Sequence, residues 1–294
     1  MTVATDTAAV AAGDTPATPR AVQAPLGRML WSEVTWVLRR PRTIVSLALL
    51  GLVPIVVAIG VLVADRGQAR APGSDGVFTS IAGNGLMLPV IALSVCLALL
   101  LPLVGAMSAA DALAGEAAHG TLRALLIAPV SRVRLVGIKA FGVAAVVLTA
   151  ATVIAVVGVV TGLVLVGSHG MVTFSGTSVS LGSALVRVLV ATLWATVQVW
   201  AVAAVALAVS AFTEHPLVVM AVTLAGAIVF GVLSSIPSLD WLQPFLLTEG
   251  WPSILDVLRD PMPTTGLLDG VWRAGCYLLI GLSVTLARVV TKDG

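Results

Sequence analysis

Ile44-Val-Ser-Leu-Ala-Leu-Leu-Gly-Leu-Val-Pro54-Ile-Val-Val-Ala-Ile-Gly-Val-Leu-Val63 carries no charge over twenty residues. A helix rising 1.5 Å per residue needs roughly 20 apolar residues to cross the hydrocarbon of a bilayer, so this stretch predicts a membrane span. Five further runs repeat the pattern: Gly85–Ala110 (with Pro89 and Pro102), Gly137–Gly167, Ser183–Ala211, Leu217–Ser234 and Val271–Val290. The composition requires the same solvent. Of 294 residues, 59% are apolar and only 10% charged, and the mean hydropathy is +1.08. A soluble domain carries about 25% charged residues to cover its surface. The expected fold is therefore all-α and polytopic, with six transmembrane helices.

Charge placement orients the spans. Eleven of the sixteen basic residues fall on one side if there are six spans. Arg20, Arg28, Arg39, Arg40 and Arg42 precede the first; Arg123, Arg132, Arg134 and Lys139 lie between the second and third; Arg288 and Lys292 follow the sixth. The loop between the fifth and sixth holds Asp240, Glu249, Asp256, Asp260 and Asp269 against Arg259 and the bordering Arg273. The positive-inside rule puts both termini in the cytoplasm and the acidic loop outside. A net charge of +2 gives no footprint for nucleic acid. Cys96 and Cys276 lie inside apolar runs and read as small buried hydrophobes, with no spacing for a disulfide framework or a zinc site.

Residues 1–24 are rich in Ala, Thr and Pro and read as a disordered cytoplasmic tail. From residue 25 the pattern changes. Leu26, Leu30, Val34, Val37 and Leu38 share one helical face, Arg28, Ser32, Thr35 and Arg39 the other, and Trp31 and Trp36 flank the apolar stripe. This predicts an amphipathic helix lying on the cytoplasmic leaflet. Glu33 is the exception, projecting from the apolar side, where it pairs with nearby Arg40 or meets a protein partner. In the loop between the last two spans, Trp241–Leu247 and Ile254–Leu258 are too short to cross. With Trp251 and five prolines around them, they suit a re-entrant or lid-like outer segment, or a surface loop anchored by tryptophans.

The chemistry sits after the second span, in Asp111-Ala-Leu-Ala-Gly-Glu116-Ala-Ala-His-Gly120-Thr121-Leu122-Arg123-Ala-Leu125-Leu126-Ile-Ala-Pro129-Val-Ser131-Arg132. The second span is expected to continue as a helix carrying Asp111 and Glu116, and Gly120 to stop it. Thr121 can cap a short helix ending before Pro129, and Ser131 can cap the third span. Leu122, Leu125 and Leu126 would then be exposed below the membrane, and exposed leucines call for a partner surface.

This string, with Lys139 seven residues beyond Arg132, resembles the permease subunit of type-2 ABC transporters, and the resemblance extends over nearly the whole chain, residues 25–294 forming the permease domain. His119-Gly120 and Arg123 depart from the more acidic loops of relatives. The resemblance implies a transport subunit rather than an enzyme, working with two copies of an ABC ATPase and a second permease chain, identical or paralogous, in the bacterial inner membrane. Leu122–Ile127 would be the coupling helix, with Gly120, Thr121, Arg123 and Pro129 shaping it and Glu116 and Arg132 bracing its ends. ATP and Mg²⁺ would belong to the partner: this chain has no phosphate-binding Gly-x-x-x-x-Gly-Lys-Ser/Thr loop, its lysines being Lys139 and Lys292.

Other classes fit less well. His119, His169 and His215 are too scattered for a metalloprotease. The Glu116-Ala-Ala of this loop has its glycine too near, and lies too early, for an importer loop. A secondary transporter or channel is the main alternative, but such proteins place ionisable groups at mid-membrane, where these spans carry only groups such as Ser94, Thr152, Thr161, Thr192, Thr196, Gln198, Thr223 and Thr285. That suits an apolar or amphiphilic cargo such as a drug or lipid. Gln198, with Thr196 and Thr192 two and six residues before it, either lines the path or bonds a neighbouring helix. Gly158-x-x-x-Gly162 has helix-packing spacing.

Overall fold

The computed structural model describes residues 25–66, 84–118, 131–167 and 171–291. The tail assigned to residues 1–24 lies outside them, as do 119–130. Helix α1 (Leu26–Leu38) precedes α2 (Pro41–Arg66). A one-turn 3₁₀ helix, Gly85–Met87, leads into α3 (Leu88–Ala98), followed by α4 (Leu100–Ala112) and the short α5 (Ala114–Ala118). Then come α6 (Arg132–Thr161), α7 (Leu181–Phe212), α8 (Pro216–Ser234) and α9 (Thr265–Thr291). The protein is a helical, multi-span membrane protein. Five helices (α2, α6, α7, α8 and α9) are long and apolar enough to cross a bilayer as single rods, and the α3–α4 pair makes six when counted as one span.

That pair corrects the expectation of a continuous second span. The helices bend by 55° at Leu99, whose backbone leaves the helical region. The cause is Pro102. It has no N–H for the carbonyl of Ala98, four residues earlier, and its ring crowds that carbonyl. A second break at Leu113 puts Glu116 on a separate helix, α5, rather than on a straight extension of the span. The other helices outrun their apolar cores. Helix α6 starts at Arg132, where Ser131 Oγ accepts from the N–H of Arg134 at 3.3 Å, the cap expected of that serine. Helix α9 starts at Thr265 and takes in Asp269 and Arg273, which the sequence had assigned to the loop and its border. At 30 residues α6 is about 45 Å long, more than the roughly 30 Å of hydrocarbon, so polar residues fall naturally on its ends.

Of the five helices that cross as single rods, α7 is the most enclosed and α8 the least. Leu93, Leu97, Leu101, Ile154 and Leu207 are fully buried between α3, α4, α6 and α7. Helix α9 closes on α7 through glycine. A Cβ on Gly281 would lie 2.6 Å from the Ala204 carbonyl carbon, and one on Gly270 would lie 2.8 Å from the Trp194 ring. Cys96 is buried, but Cys276 is exposed because α9 is a peripheral helix with one face outside the bundle.

The two ends differ. Helix α1, α5, the start of α6 and the end of α9 gather at a basic end; the residues between α8 and α9 gather at the acidic end. There the all-α expectation misses a small hairpin, β1 (Met171–Val172) with β2 (Ser178–Val179). Its turn needs a residue at positive φ, which Gly176 supplies at 81°. The hairpin is tied to the acidic loop by Phe174 N–H donating to the Leu258 carbonyl (2.9 Å) and by Arg187 of α7 pairing with Asp260 (3.1 Å). Within that loop, Leu247–Leu258 forms a 3₁₀ segment, with Ile254, Val257 and Leu258 fully buried against the spans. Trp251 is buried and Trp241 exposed, so only the first tryptophan behaves as a surface anchor.

Candidate functional site

At the basic end, three charged side chains from three distant stretches converge. Helix α1 turns its apolar face toward α6, with Val37 buried. Gly142 of α6 has no side chain to obstruct it, and a Cβ there would stand 3.0 Å from Glu33 Cγ. Glu33 thereby reaches Lys139, its Oε1 lying 3.0 Å from Lys139 Nζ. Lys139 also donates to Glu116 Oε1 at 2.5 Å. The lysine is only 5% exposed, so this cation is held inside protein by two carboxylates. The partner of Glu33 is therefore Lys139, not Arg40. Arg40 has other company. Its guanidinium stacks 3.6 Å over the Trp36 ring and lies 3.7 Å from Asp111, which Arg42 also approaches at 3.7 Å. Proximity in sequence suggested Arg40 for Glu33, but the helical rotation of α1 carries Glu33 to the α6 side. Trp31 and Arg39 remain exposed.

Other bonds fix the surroundings of this clasp. Ser210 Oγ of α7 accepts from the N–H of Ala114, anchoring the start of α5 (2.9 Å). Arg132 donates to the carbonyls of Val289 (3.0 Å) and Val290 (2.8 Å) in the last turn of α9, where a cation suits the carbonyl end of a helix. The segment resembling a coupling helix is thus flanked by two anchored points, Glu116 on Lys139 and Arg132 on α9. Gly120, Thr121, Leu122, Arg123, Leu125, Leu126 and Pro129 themselves lie outside the described residues.

Burial raises the pKa of the Glu116 carboxyl, while the bond to Lys139 and its charge pull the other way. With a folded pKa above the ordinary value of 4.5, the folded protein holds more protons than the unfolded chain across that interval. The contribution of Glu116 is therefore fully present below the unfolded value and is lost as pH rises through the folded one. Thermal midpoints of the detergent-solubilised protein should show this as a wild-type decline with rising pH that Glu116→Gln lacks. Parallel wild-type and Glu116→Gln profiles would contradict it.

The polar residues of α7 lie elsewhere. Gln198, Thr196 and Thr192 are 0%, 1% and 5% exposed. The two threonines donate to carbonyls one turn back, Thr192 to Val188 and Thr196 to Thr192, both at 2.7 Å. Gln198 faces Gly270 of α9, where a Cβ would stand 3.2 Å from its Nε2.

The fold is a many-span helical bundle with a buried ion cluster at its basic end. The model of the ABC-2 family transporter protein matches residues 28–259, from α1 through the buried 3₁₀ segment. The chain belongs to that family, whose members are ABC-type permeases partnered by an ABC ATPase. No curated protein matches it.

Proposed function

We propose that this chain is the permease subunit of an ATP-driven exporter, forming the path for an amphiphilic cargo such as a drug or lipid. Two ATPase subunits and a second permease chain, identical or paralogous, complete the complex in a bacterial inner membrane. ATP and Mg²⁺ bind the ATPases. Both termini face the cytoplasm, as the basic residues of α1, α6 and α9 favour.

The observation carrying this reading is the Glu33–Lys139–Glu116 clasp. ATP-driven movement of a partner pressed against residues 120–129 would act first on α5 and Arg132. From α5 the clasp passes the displacement to α6 and α1 together, and Arg132 passes it to α9. A linked shift of three helices converts a push at the membrane surface into tilting of the bundle. The apolar spans offer no mid-membrane charge for ion coupling, which leaves the energy to the partner.

Copurification with a candidate ATPase tests the coupling segment. Leu125→Asp puts a charge on the face meant for an apolar groove and should abolish retention of the ATPase, with Glu116→Ala weakening it. Equal retention by wild type and both variants would sink the proposal.

A further inference from the structure

A second region has no part in the coupling scheme. Between α7, α8, α9 and the 3₁₀ segment lies a cavity of about 210 Å³, whose lining includes Val222, Thr223, Gly226, Thr248, Trp251 and Tyr277. The lining is apolar apart from a few polar side chains. Thr223 Oγ1 is committed to the Val219 carbonyl and Tyr277 Oη to the Phe245 carbonyl, each at 2.7 Å. The remaining two are not committed. Trp251 Nε1 and Thr248 Oγ1 are both buried, and among the described residues neither has a hydrogen-bond partner. A buried donor without a partner is costly and marks a place where an acceptor belongs.

We infer that this cavity binds a neutral bilayer amphiphile, its alkyl or ring portion filling the space and an ester or amide carbonyl accepting from Trp251 and Thr248. An indole N–H can only donate, so the matching ligand atom is an acceptor. Among the described residues no carboxylate, ammonium or guanidinium lines the cavity, so the head group is uncharged. Drug-sized ligands occupy about 300–1,000 Å³, so this volume takes one ring or chain segment while the rest of the molecule extends outward. The way in is lateral. Val222 on the rim is 50% exposed, and α8 is the least enclosed of the five single-rod spans, so the mouth opens toward lipid. This site is distinct from Gln198, Thr196 and Thr192, and its occupancy does not depend on an ATPase.

Binding can be read on the full-length permease alone, in nanodiscs, as quenching of Trp251 fluorescence by a monoacylglycerol brominated on its chain. The Trp251 signal is the difference between wild type and Trp251→Phe. A brominated alkane of equal length serves as the comparison. Gly226 lines the cavity and a Cβ there would meet nothing within 4 Å, so Gly226→Leu is the substitution that takes up its space. It should weaken monoacylglycerol quenching by about tenfold or more, the loss expected when the buried alkyl portion is excluded. Thr248→Val keeps the volume and removes the hydroxyl. It should weaken the monoacylglycerol several-fold and leave the alkane unchanged. Quenching unaffected by Gly226→Leu would overturn the site. Equal response of both probes to Thr248→Val would overturn the carbonyl contact, and that variant decides if Gly226→Leu fails to fold. Because no ATPase is present, failure here is separable from failure of the export reading.

Discussion

Lys139→Ala is expected to be the most damaging single substitution at the basic end, lowering stability by about 3–5 kcal/mol, the usual cost of removing one partner from a buried ion pair. The reason is what it leaves behind. Glu33 and Glu116 both reach Lys139 Nζ, at 3.0 and 2.5 Å, and without that cation two carboxylates face each other in protein interior. At least one must take up a proton or the cluster must open to water. The variant should therefore regain stability as pH falls, more steeply than wild type, because the burial that raises the Glu116 pKa is no longer opposed by the lysine. Thermal unfolding in detergent checks both points. Neutralising the whole cluster, with Glu33→Gln, Lys139→Met and Glu116→Gln together, should restore folding, since apolar or neutral replacement of a buried ionic group is often tolerated. If the clasp transmits motion, the folded triple variant should still lose stimulation of the partner ATPase. A Lys139→Ala protein as stable as wild type at neutral pH would mean that the clasp does not hold α1 and α5 to α6.

The spans could be read from sequence because lipid imposes a one-dimensional demand: enough consecutive apolar residues to cross. The same demand says little about where a helix bends or what it touches. Pro102 was visible, and the rule that proline strands the carbonyl four residues earlier points to Ala98. Its effect is not legible from sequence alone because prolines inside spans are commonly accommodated by neighbours. Glu33 stands out in the sequence as an acid on an apolar face, but its partner lies 106 residues away, beyond any helical periodicity. A signal existed even so. An acid on an apolar face needs a base in a comparable position, and Lys139, one of only two lysines, stands at the head of a span. The acidic loop was legible as something too short to cross and too apolar to float. Which tryptophan would be buried was not, since Trp241 and Trp251 have similar flanks and only packing against the spans separates them. The hairpin around Gly176 was missed because two-residue strands are too short for alternation to register.

The Gly158-x-x-x-Gly162 pair gives the second large effect, because the structure shows what those glycines accommodate. A Cβ on Gly162 would lie 2.0 Å from the carbonyl oxygen of Gly85, and one on Gly158 would lie 2.8 Å from Pro89 Cα. Both obstacles are backbone, which cannot rotate aside like a flexible side chain. The motif thus seats the far end of α6 against the entry to α3, within one chain. In lipid there is little hydrophobic gain from bringing two helices together, so close packing has to supply the attraction. Gly162→Ala should cost at least the roughly 1–3 kcal/mol typical of overpacking a tight site, and Gly162→Leu should prevent recovery of monodisperse protein from detergent. Gly60 of α2 is the control. A Cβ there meets nothing within 4 Å, so Gly60→Ala should be neutral or stabilising by up to about 1 kcal/mol through helix propensity. The melting temperature of Gly162→Ala should therefore fall while that of Gly60→Ala holds or rises. If they move together, the α6–α3 approach is looser than a glycine-to-glycine contact, and small residues at this spacing serve an interface other than the one within the chain.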